Sequence, residues 1–324
     1  MSNRTKLLKE LKKNTGSFIS GETLSNMLGI SRSAVSKHIA VLKESGYIID
    51  STPKVGYRLS KTTNLMLPDE IREGLKTRVL GQADIIHYPL IDSTNNQAKT
   101  LAINGAPEGT LVVAEAQSAG RGRKGRTWFS ATDDGICLSL ILRPSIPPGE
   151  ISQITLMTAV AAAEALLEAT DIDVTIKWPN DLLINGKKLA GILTEMSMEM
   201  DAIDYIIIGL GMNVNTDISV FNGEIQDIAT SLYIESSIQH SRVDIIQLFL
   251  QQFEKYYLEV QTHGFSSIIK RWKKLSNILG QYVTVDVSGK KIRGFVDDIG
   301  EDGVLILKDD EKKIHRILSG DVLL

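Results

Sequence analysis

The dipeptide Asn185-Gly186 constrains the fold of this 324-residue chain more than any other local feature. It separates two apolar runs, and both residue types accept the positive φ of a type I′ turn, so we expect a two-residue β-hairpin. Around it, between residues 65 and 275, strand-like and helix-like runs alternate. The predicted strands are Thr110–Gln117, Gly135–Leu142, Thr175–Lys177, Leu182–Ile184, Gly191–Met196 and Tyr205–Gly209, and the predicted helices are Asn95–Asn104, Ile151–Thr170 and Val243–His263. Helices mixed with hairpins indicate an α+β fold, not a doubly wound parallel sheet.

The first 64 residues predict three short helices that include a helix-turn-helix. The helices carry Leu7, Leu8 and Leu11, then Glu22–Leu28, then Arg32–Glu44, with Gly29-Ile30-Ser31 as the turn and Ser31 as the N-cap of the third. On the third helix Val35, Ile39 and Leu42 fall on the inward face. The residues that then point outward are Ser33, Ser36, Lys37 and Ala40. Small polar and basic residues on this face are typical of a helix that enters a DNA groove.

A hairpin predicted after the third helix would form the wing of a winged helix-turn-helix. Its strands are Tyr47–Ser51 and Tyr57–Leu59 around a Pro53–Gly56 turn, and it carries Lys54 and Arg58 toward phosphates. Residues 1–65 have seven more positive than negative charges, although the whole chain has a net charge of −3. A helical protein-interaction module is the alternative; the basic surplus and the wing favour DNA binding.

Residues 276–324 predict a small all-β domain. The predicted strands are Tyr282–Val287, Lys291–Asp297, Val304–Leu307 and Lys313–Ile317, with turns at Ser288-Gly289, Gly300 and Asp309-Asp310. Four short strands in fewer than 50 residues suggest an SH3-like barrel. We therefore predict three domains, at residues 1–64, 65–275 and 276–324.

The composition is that of an ordinary soluble protein, with 43% hydrophobic and 23% charged residues. The most apolar stretch, Ile154–Leu167, is interrupted by polar residues and is too short for a membrane span. The N-terminus lacks the apolar core of a secretion signal, so we expect a cytoplasmic protein. The single cysteine, Cys137, has no partner for an internal disulfide and lies in an apolar run, where we expect a buried thiol.

The stretch Gly120–Trp128 interleaves glycines with four cations and ends in an aromatic residue. Glycines let backbone amides approach a ligand closely, and the cations Arg121, Arg123, Lys124 and Arg126 suit phosphate and carboxylate. We interpret the stretch as a basic loop that closes over a phosphate-bearing ligand. A solvated loop without a ligand is the alternative. Its glycines also match the G-x-G-x-x-G dinucleotide fingerprint, but Thr127–Ser130 does not open the helix which that motif needs.

Four further clusters carry polar residues in unusual combinations. Asp92–Asn95 precedes a helix and could either cap it or hold a small polar head group. Gln117 ends a strand beside the basic loop and could line the same pocket. The other clusters are Lys177–Asp181, Lys187–Leu193 with Lys188 as a candidate pocket cation, and Gly209–Asn215, where a strand is expected to end in glycines. Trp178-Pro179 could be a core-facing corner, and Lys188 a hairpin-end surface lysine.

These motifs resemble, in order, those of bacterial bifunctional biotin–protein ligases that are also biotin operon repressors. The matching segments are Ser93–Asn95, Gly120–Trp128, Lys177–Asp181, Lys188–Leu193 and Gly209–Asn213. The helix-turn-helix before them and the small barrel after them complete that family's architecture, so the resemblance covers nearly the whole chain. It implies a central mixed α/β ligase domain of the biotin/lipoate ligase type.

The resemblance implies two chemical steps. Biotin and Mg-ATP give biotinyl-5′-AMP and pyrophosphate, and a lysine of biotin carboxyl carrier protein then takes the biotin and releases AMP. The first step joins two anions and needs cations rather than an enzyme nucleophile, in keeping with the lack of an evident Ser-His-Asp or Cys-His set. The resemblance also implies operator DNA as a partner, a homodimer when biotinyl-5′-AMP is bound as corepressor, and no membrane.

Roles for individual residues follow from the same resemblance. Ser93, Thr94, Asn95 and Gln117 would bind the biotin head group, and Arg121, Gly122 and Arg123 would order over biotin and the adenylate. Lys188 would contact the carboxylate and the α-phosphate, Asp181 would orient or deprotonate the acceptor lysine, and Asn213 would hold phosphate or Mg²⁺. No residue is assigned as a direct metal ligand. The segment Thr216–Leu232, expected over the adenine, offers Phe221 but no tryptophan.

Two other functions stay open. A lipoate–protein ligase is related in fold and chemistry, although the Gly-Arg-Gly-Arg loop and the winged helix favour biotin. A transcription factor that only senses a small molecule is the second alternative. Lys177–Asp181 together with Lys188 argues for catalysis.

Overall fold

The computed structural model describes residues 2–60, 64–130, 134–200, 202–221, 223 and 225–323. The chain forms two compact units, Met1–Asp69 and Glu70–Leu324. The division into three domains at residues 64 and 275 stays a prediction.

The first unit is the predicted winged helix-turn-helix. Its elements are α1 (Asn3–Lys13), α2 (Gly21–Leu28), α3 (Arg32–Glu44), β1 (Ile49–Thr52) and β2 (Gly56–Leu59). Gly29 ends α2 in the left-handed conformation, and the Ser31 hydroxyl accepts the Ala34 N–H to cap α3. The apolar faces of the three helices and the hairpin meet in one core, so the sequence prediction for this unit is confirmed.

The second unit is built on a seven-stranded mixed sheet. Its strands are β3 (Ile85–Ile91), β4 (Leu111–Gln117), β5 (Gly135–Leu142), β6 (Thr175–Lys177), β7 (Asp181–Ile184), β8 (Lys187–Glu199) and β9 (Ala202–Asn213), in the order β3-β4-β5-β9-β8-β7-β6. The pair β3–β4 is parallel, and the other pairs are antiparallel. The predicted α+β class is therefore confirmed.

The Asn-Gly turn joins β7 to β8 as expected. Asn185 and Gly186 both have positive φ, 51° and 79°, which matches the type I′ requirement. The expectation that the last strand of this sheet ends near Gly209 was wrong, because β9 continues to Asn213. Gly209 and Gly211 lie inside the strand, where a Cβ would collide with the side chains of Asn95 and Trp128.

Helices flank the sheet. They are α4 (Pro68–Glu73), α5 (Thr94–Ile103), α6 (Ile151–Thr170), α7 (Ile225–Ile228), α8 (Leu232–Ser236), α9 (Arg242–His263) and α10 (Ser266–Leu275). Pro148–Thr170 is long and apolar enough to cross a membrane by length and composition alone. However, 67% of its apolar window is buried inside the protein, as in the core helix of a soluble domain. The burial of α6 against its neighbours accounts for its apolar sequence.

The last 50 residues form a second, five-stranded antiparallel sheet. Its strands are β10 (Tyr282–Val287), β11 (Lys290–Ile299), β12 (Leu305–Lys308), β13 (Ile314–Ile317) and β14 (Asp321–Leu323), in the order β13-β12-β11-β10-β14. Val285, Val296, Leu305 and Leu307 form the buried side of this sheet. The predicted strand-rich C-terminal part is confirmed. The first residue of β14, Asp321, lines the site described next.

Candidate active site

Two cavities meet on the large sheet. The inner pocket is lined at its base by Ser93, Thr94, Asn95 and Gln117, and by the apolar residues Leu138, Ile192, Leu193 and Leu210. The outer cleft is lined by Lys177, Asn213, Phe221, Phe129, Ile225 and Ile228, among others. Five residues line both cavities and so mark their junction: Arg126, Thr127, Trp128, Asp181 and Lys188. An elongated ligand could thus extend from one cavity into the other.

The base of the inner pocket is a set of hydrogen-bonded side chains. Gln117 Oε1 accepts the Thr94 N–H at 2.8 Å. Asn95 Oδ1 accepts from the Ser139 hydroxyl at 2.6 Å. Ser93 is almost fully buried and lines the pocket, but its hydroxyl does not cap α5. Asp92 accepts from Asn96 Nδ2 at 2.7 Å. The capping alternative therefore does not apply to the Ser93 hydroxyl, and its role in ligand binding stays a prediction.

The basic loop is a tight turn of backbone over this pocket. The Trp128 N–H donates to Gly120 O at 2.9 Å, and the Gly122 N–H donates to Arg126 O at 2.7 Å. Lys124 and Gly125 take positive φ at its tip. Residues 126–130 then run on without helix, which removes the dinucleotide fingerprint as an explanation.

Three cations of the loop converge on one carboxylate of the C-terminal sheet. Asp321 pairs with Arg126 at 2.7 Å, Lys124 at 3.2 Å and Arg123 at 3.7 Å. Burial alone would raise the pKa of Asp321, but the hydrogen bond from Lys124 and the three positive charges lower it below its ordinary value. The loop is therefore anchored to the C-terminal sheet by ion pairs, and its role in closing over a ligand stays a prediction.

Arg123 and Arg121 each have further partners. Arg123 donates to Asn180 Oδ1 at 3.1 Å and to Ser319 Oγ at 3.1 Å, and burial lowers the pKa of its guanidinium. Arg121 pairs with Glu195 at 3.1 Å and donates to Asn96 Oδ1 at 2.9 Å. Each guanidinium group therefore has protein partners on at least two segments of the chain.

Lys188 and Asp181 form an ion pair at the junction. The distance from Lys188 Nζ to Asp181 Oδ1 is 2.7 Å, and the same ammonium lies 5.7 Å from the centre of the Trp128 ring. Lys177 faces the outer cleft nearby, and burial, with the charge of Lys188, lowers its pKa against the opposing effect of Asp181. Lys188 lines both cavities, and its role as the cation that contacts the ligand stays a prediction.

Trp178 is a core residue at the corner between β6 and β7. Its side chain is fully buried, and the indole N–H donates to Gly303 O at 3.3 Å. The Trp178-Pro179 peptide is cis. The adjacent Lys177, Asn180 and Asp181 are presented to the two cavities by this corner.

Asn213 and Phe221 both line the outer cleft. Asn213 donates from Nδ2 to Thr230 O at 3.0 Å, which holds the segment after α7 beside β9. Phe221 is 3% exposed and lines the cleft wall. Of the segment Thr216–Leu232, Asn222 and Glu224 lie outside the described residues. Within the described ranges, His, Cys, Asp and Glu form no group of three or more that could hold a metal ion.

The candidate DNA-binding residues lie on one unit and differ in their surroundings. Ser33, Ser36 and Lys37 are exposed on α3, and Lys54 is exposed at the tip of the hairpin. Arg58 donates to Asp50 at 2.7 Å and lies 4.6 Å over the Phe18 ring. Its charge is thus largely compensated within the hairpin, which the sequence prediction did not anticipate.

Several residues of the site were missed because they carry little or no local sequence signal. Ser139, Glu195, Ser319 and Asp321 were not predicted, because each acts on a motif more than 40 residues away along the chain. The one available signal was that Ser139 interrupts an otherwise apolar strand.

Three family models match the chain. Residues 88–213 match the Biotin/lipoate A/B protein ligase family, residues 3–58 match an HTH domain, and residues 278–324 match the Biotin protein ligase C terminal domain. The chain is 45% identical over 305 residues to the "Bifunctional ligase/repressor BirA" of Bacillus subtilis, covering 94% of this chain and 93% of that protein. It is 33% identical to the protein of the same name from Escherichia coli, covering 91% and 89% of the two chains.

A solved structure shares the fold of about three quarters of the chain. A biotin protein ligase from Aquifex aeolicus, in complex with biotin and ATP, has 30% identity and a TM-score of 0.64. The match covers 74% of this chain and 97% of that one.

Proposed function

Because the chain belongs to the family of bifunctional ligase/repressors with a biotin/lipoate ligase domain, we propose that it biotinylates an acceptor protein and represses transcription. The ligase activates biotin with ATP to biotinyl-5′-AMP and transfers the biotin to a specific lysine of the biotin carboxyl carrier protein of acetyl-CoA carboxylase. The repressor acts on genes for biotin synthesis or transport, with biotinyl-5′-AMP as corepressor. The observation that carries the ligase function is the junction of two cavities at Lys188, Asp181 and Trp128.

The inner pocket is the proposed biotin site. Its polar base at Ser93, Thr94 and Gln117 suits a cyclic urea, which both donates and accepts hydrogen bonds. Its apolar walls at Leu138, Ile192 and Leu210 suit the ring sulfur and the alkyl chain. The biotin carboxylate would then lie toward Lys188. Arg121, Gly122 and Arg123 close the pocket from the loop side.

The outer cleft is the proposed nucleotide site. Lys177, Lys188 and Arg126 give its mouth positive charge for the phosphates, while Phe221 and Ile228 give an apolar wall for the base. Mg²⁺ fits this arrangement because it binds mainly through nucleotide phosphates with one or two protein oxygens, and Asp181 and Asn213 both line the cleft. When bound with ATP, Mg²⁺ would neutralise phosphate charge.

The first chemical step joins two anions. A biotin carboxylate oxygen attacks the α-phosphorus of ATP, a new O–P bond forms, and the bond to the bridging oxygen breaks as pyrophosphate leaves. Lys188 lies where the carboxylate and the α-phosphate meet, and its fixed ammonium stabilises the charge that develops there. Arg123 supplies a second fixed cation from the loop.

The second step transfers the acyl group. The acceptor lysine amine attacks the carbonyl carbon of the mixed anhydride, the C–O bond to AMP breaks, and the amine loses a proton. Asp181 is the candidate to orient the acceptor lysine or to accept its proton, because it is a carboxylate at the junction, 2.7 Å from Lys188. No covalent enzyme intermediate is needed.

The first unit is the proposed operator-binding domain. Ser33, Ser36 and Lys37 on α3 read or contact DNA, while Lys54 contacts phosphate from the hairpin tip. A homodimer formed with biotinyl-5′-AMP bound would present two such units to two half-sites, and the acceptor protein would compete with dimerisation. We propose that the protein works in the cytoplasm without a membrane partner.

The ligase is tested with purified protein, biotin, Mg-ATP and a biotin carboxyl carrier domain on a streptavidin blot. A labelled carrier lysine that disappears when ATP is omitted supports the ligase. Lipoate is offered in a parallel reaction and detected with an anti-lipoyl antibody. Lipoylation without biotinylation would replace biotin by lipoate as the substrate, and no modification by either acid would favour a small-molecule sensor.

A further inference from the structure

Glu195 lies at the centre of a hydrogen-bonded chain behind the inner pocket. Its Oε1 and Oε2 pair with the Arg121 guanidinium at 3.1 and 3.3 Å, and Oε2 also accepts from Asn95 Nδ2 at 2.8 Å. Glu195 does not itself line the pocket. One carboxylate therefore joins the first cation of the basic loop to the base of the pocket.

The series of hydrogen bonds continues from Asn95 to Ser139. Asn95 and Ser139 are both buried, and the Ser139 hydroxyl donates to Asn95 Oδ1 at 2.6 Å. A carboxylate can only accept hydrogen bonds, so the Asn95 amide must present Nδ2 to Glu195 and Oδ1 to Ser139. Glu195 thereby fixes the orientation of the Asn95 side chain, and Asn95 directs the Ser139 proton.

The other end of this hydrogen-bonded series leads back to the basic loop. Ser139 Oγ lies 2.8 Å from Thr94 Oγ1, and the Thr94 backbone N–H donates to Gln117 Oε1 at 2.8 Å. The Gln117 N–H in turn donates to Ser130 Oγ at 2.8 Å. Arg121 and Ser130 flank the tip of the basic loop, so both ends of the loop are hydrogen-bonded to the base of one pocket.

We propose that Glu195 and Ser139 are positioning residues that couple occupancy of the inner pocket to the arrangement of the basic loop. A ligand that hydrogen-bonds to Thr94 and Gln117 fixes the same groups that hold Arg121 and Ser130. Binding in the inner pocket then lowers the cost of arranging the loop for the anionic ligand of the outer cleft. This inference rests on the proposed function, which identifies the two ligands as biotin and ATP.

Substitutions of Glu195 and Ser139 remove different contacts. Glu195→Gln keeps one acceptor oxygen for Asn95 but removes the charge and the two-oxygen pairing with Arg121. Ser139→Ala removes the donor to Asn95 Oδ1 and leaves the Glu195–Arg121 pair intact. Glu199→Gln is a matched control, because Glu199 is an exposed residue of the same strand, β8.

The test is a thermodynamic cycle measured by titration calorimetry. The Kd of biotin is determined with and without saturating adenosine 5′-(α,β-methylene)triphosphate, in which the bond that must break at the α-phosphorus is replaced. The ratio of the two Kd values is the coupling factor, for which about 5- to 150-fold is the usual range. We expect the factor to fall toward one in Glu195→Gln and Ser139→Ala and to be unchanged in Glu199→Gln.

A second readout is cleavage by trypsin at the arginines and lysine of the loop. Biotin should protect the loop in the wild type and in Glu199→Gln, and should protect it several-fold less in Glu195→Gln. Unfolding temperatures of the variants show whether a change comes from lost stability. A merely structural role would lower these temperatures and leave the coupling factor of the folded fraction as it is in the wild type.

The outcomes are distinguishable. A wild type that binds biotin with a coupling factor of one, or variants that keep the wild-type factor and protection, would overturn the coupling role alone. A wild type that binds no biotin would overturn the proposed function and this inference together.

Discussion

Lys188 Nζ and Asp181 Oδ1 form an ion pair of 2.7 Å where the inner pocket meets the outer cleft. The pair spans adjacent strands, since β7 and β8 are joined by the Asn185-Gly186 turn. A strong hairpin signal in the sequence thus places a cation and a carboxylate beside each other at the proposed reaction centre. The Lys188 ammonium has three donors, so it can contact a substrate while it remains paired with Asp181.

Replacing Lys188 by alanine should depress adenylate formation strongly. Loss of one preorganised donor to developing charge costs about 2.7–4 kcal/mol, or roughly 10²- to 10³-fold in rate. The measurement is pyrophosphate release from biotin and ATP in a single turnover. Lys187→Ala is the control, because Lys187 precedes it on β8 and lines neither cavity. An unchanged rate in Lys188→Ala would remove this lysine from the chemistry.

Asp321→Asn should release the basic loop in the absence of ligand. Exposed ion pairs contribute about 0.2–1 kcal/mol each, and three converge on this carboxylate, so we expect loop cleavage by trypsin to be roughly three-fold faster or more. Asp302→Asn is the control, since it removes an exposed pair with Arg316 elsewhere on the same sheet. Equal cleavage rates in the two variants would show that Asp321 does not hold the loop.

The pH dependence of the same contact follows from the lowered pKa of Asp321. A carboxyl group whose folded-state pKa is below its unfolded value stabilises the folded state at higher pH and loses that effect as the pH falls through the folded value. Cleavage of the wild-type loop should therefore be insensitive to this group from pH 8 down to about 5. A transition within that window, absent from Asp321→Asn, would contradict the assignment.

Cys137 should be nearly unreactive in the folded protein. Burial raises the pKa of its thiol to about 11, and the thiolate is the reactive form. At pH 8, reaction with Ellman's reagent should be at least about 100-fold slower than in guanidinium chloride. The raised pKa favours the folded state fully below pH 9, and this contribution shrinks as the pH rises from 9 toward 11. Rapid native labelling at pH 8 would show that the thiol is accessible.

Lys37 and Arg58 should differ in their contribution to DNA binding. Lys37 is exposed, so Lys37→Ala should flatten the slope of log affinity against log salt by about 0.9. Arg58 is already paired with Asp50, so Arg58→Ala should change the slope by less. Fluorescence anisotropy over a salt series measures both slopes, with Lys9→Ala on α1 as the control. Equal slopes for Lys37→Ala and the wild type would exclude Lys37 from the phosphate contacts.

Local sequence patterns predicted most of the helices, strands and turns, because these elements depend on neighbouring residues. The apolar run of α6, the turn at Gly29–Ser31 and the positive-φ pair at Asn185-Gly186 gave correct elements. The strand β3 was missed because Pro89 interrupts its pattern, which the sheet tolerates because β3 is an edge strand. The lengths of β8 and β9 were underestimated because pairing between them extends well beyond the apolar residues.

The site was predictable only in part, for the same reason. Lys188, Asp181, Gln117 and the basic loop belong to short motifs and are brought together as expected. Their partners Asp321 and Glu195 are single carboxylates far along the chain, and the sequence gives no means to assign them to Arg126 and Arg121. The compensation of Arg58 by Asp50 was missed because cross-strand register decides it, and β1 and β2 are each four residues long.

The two glycines of β9 that line the inner pocket have a practical consequence. Every replacement of Gly209 or Gly211 adds at least a methyl group where the side chains of Asn95 and Trp128 already lie. An inhibitor that depends on close contact with this part of the strand would therefore be difficult to escape by mutation, because the substitutions that displace the drug would also displace the residues that the enzyme needs.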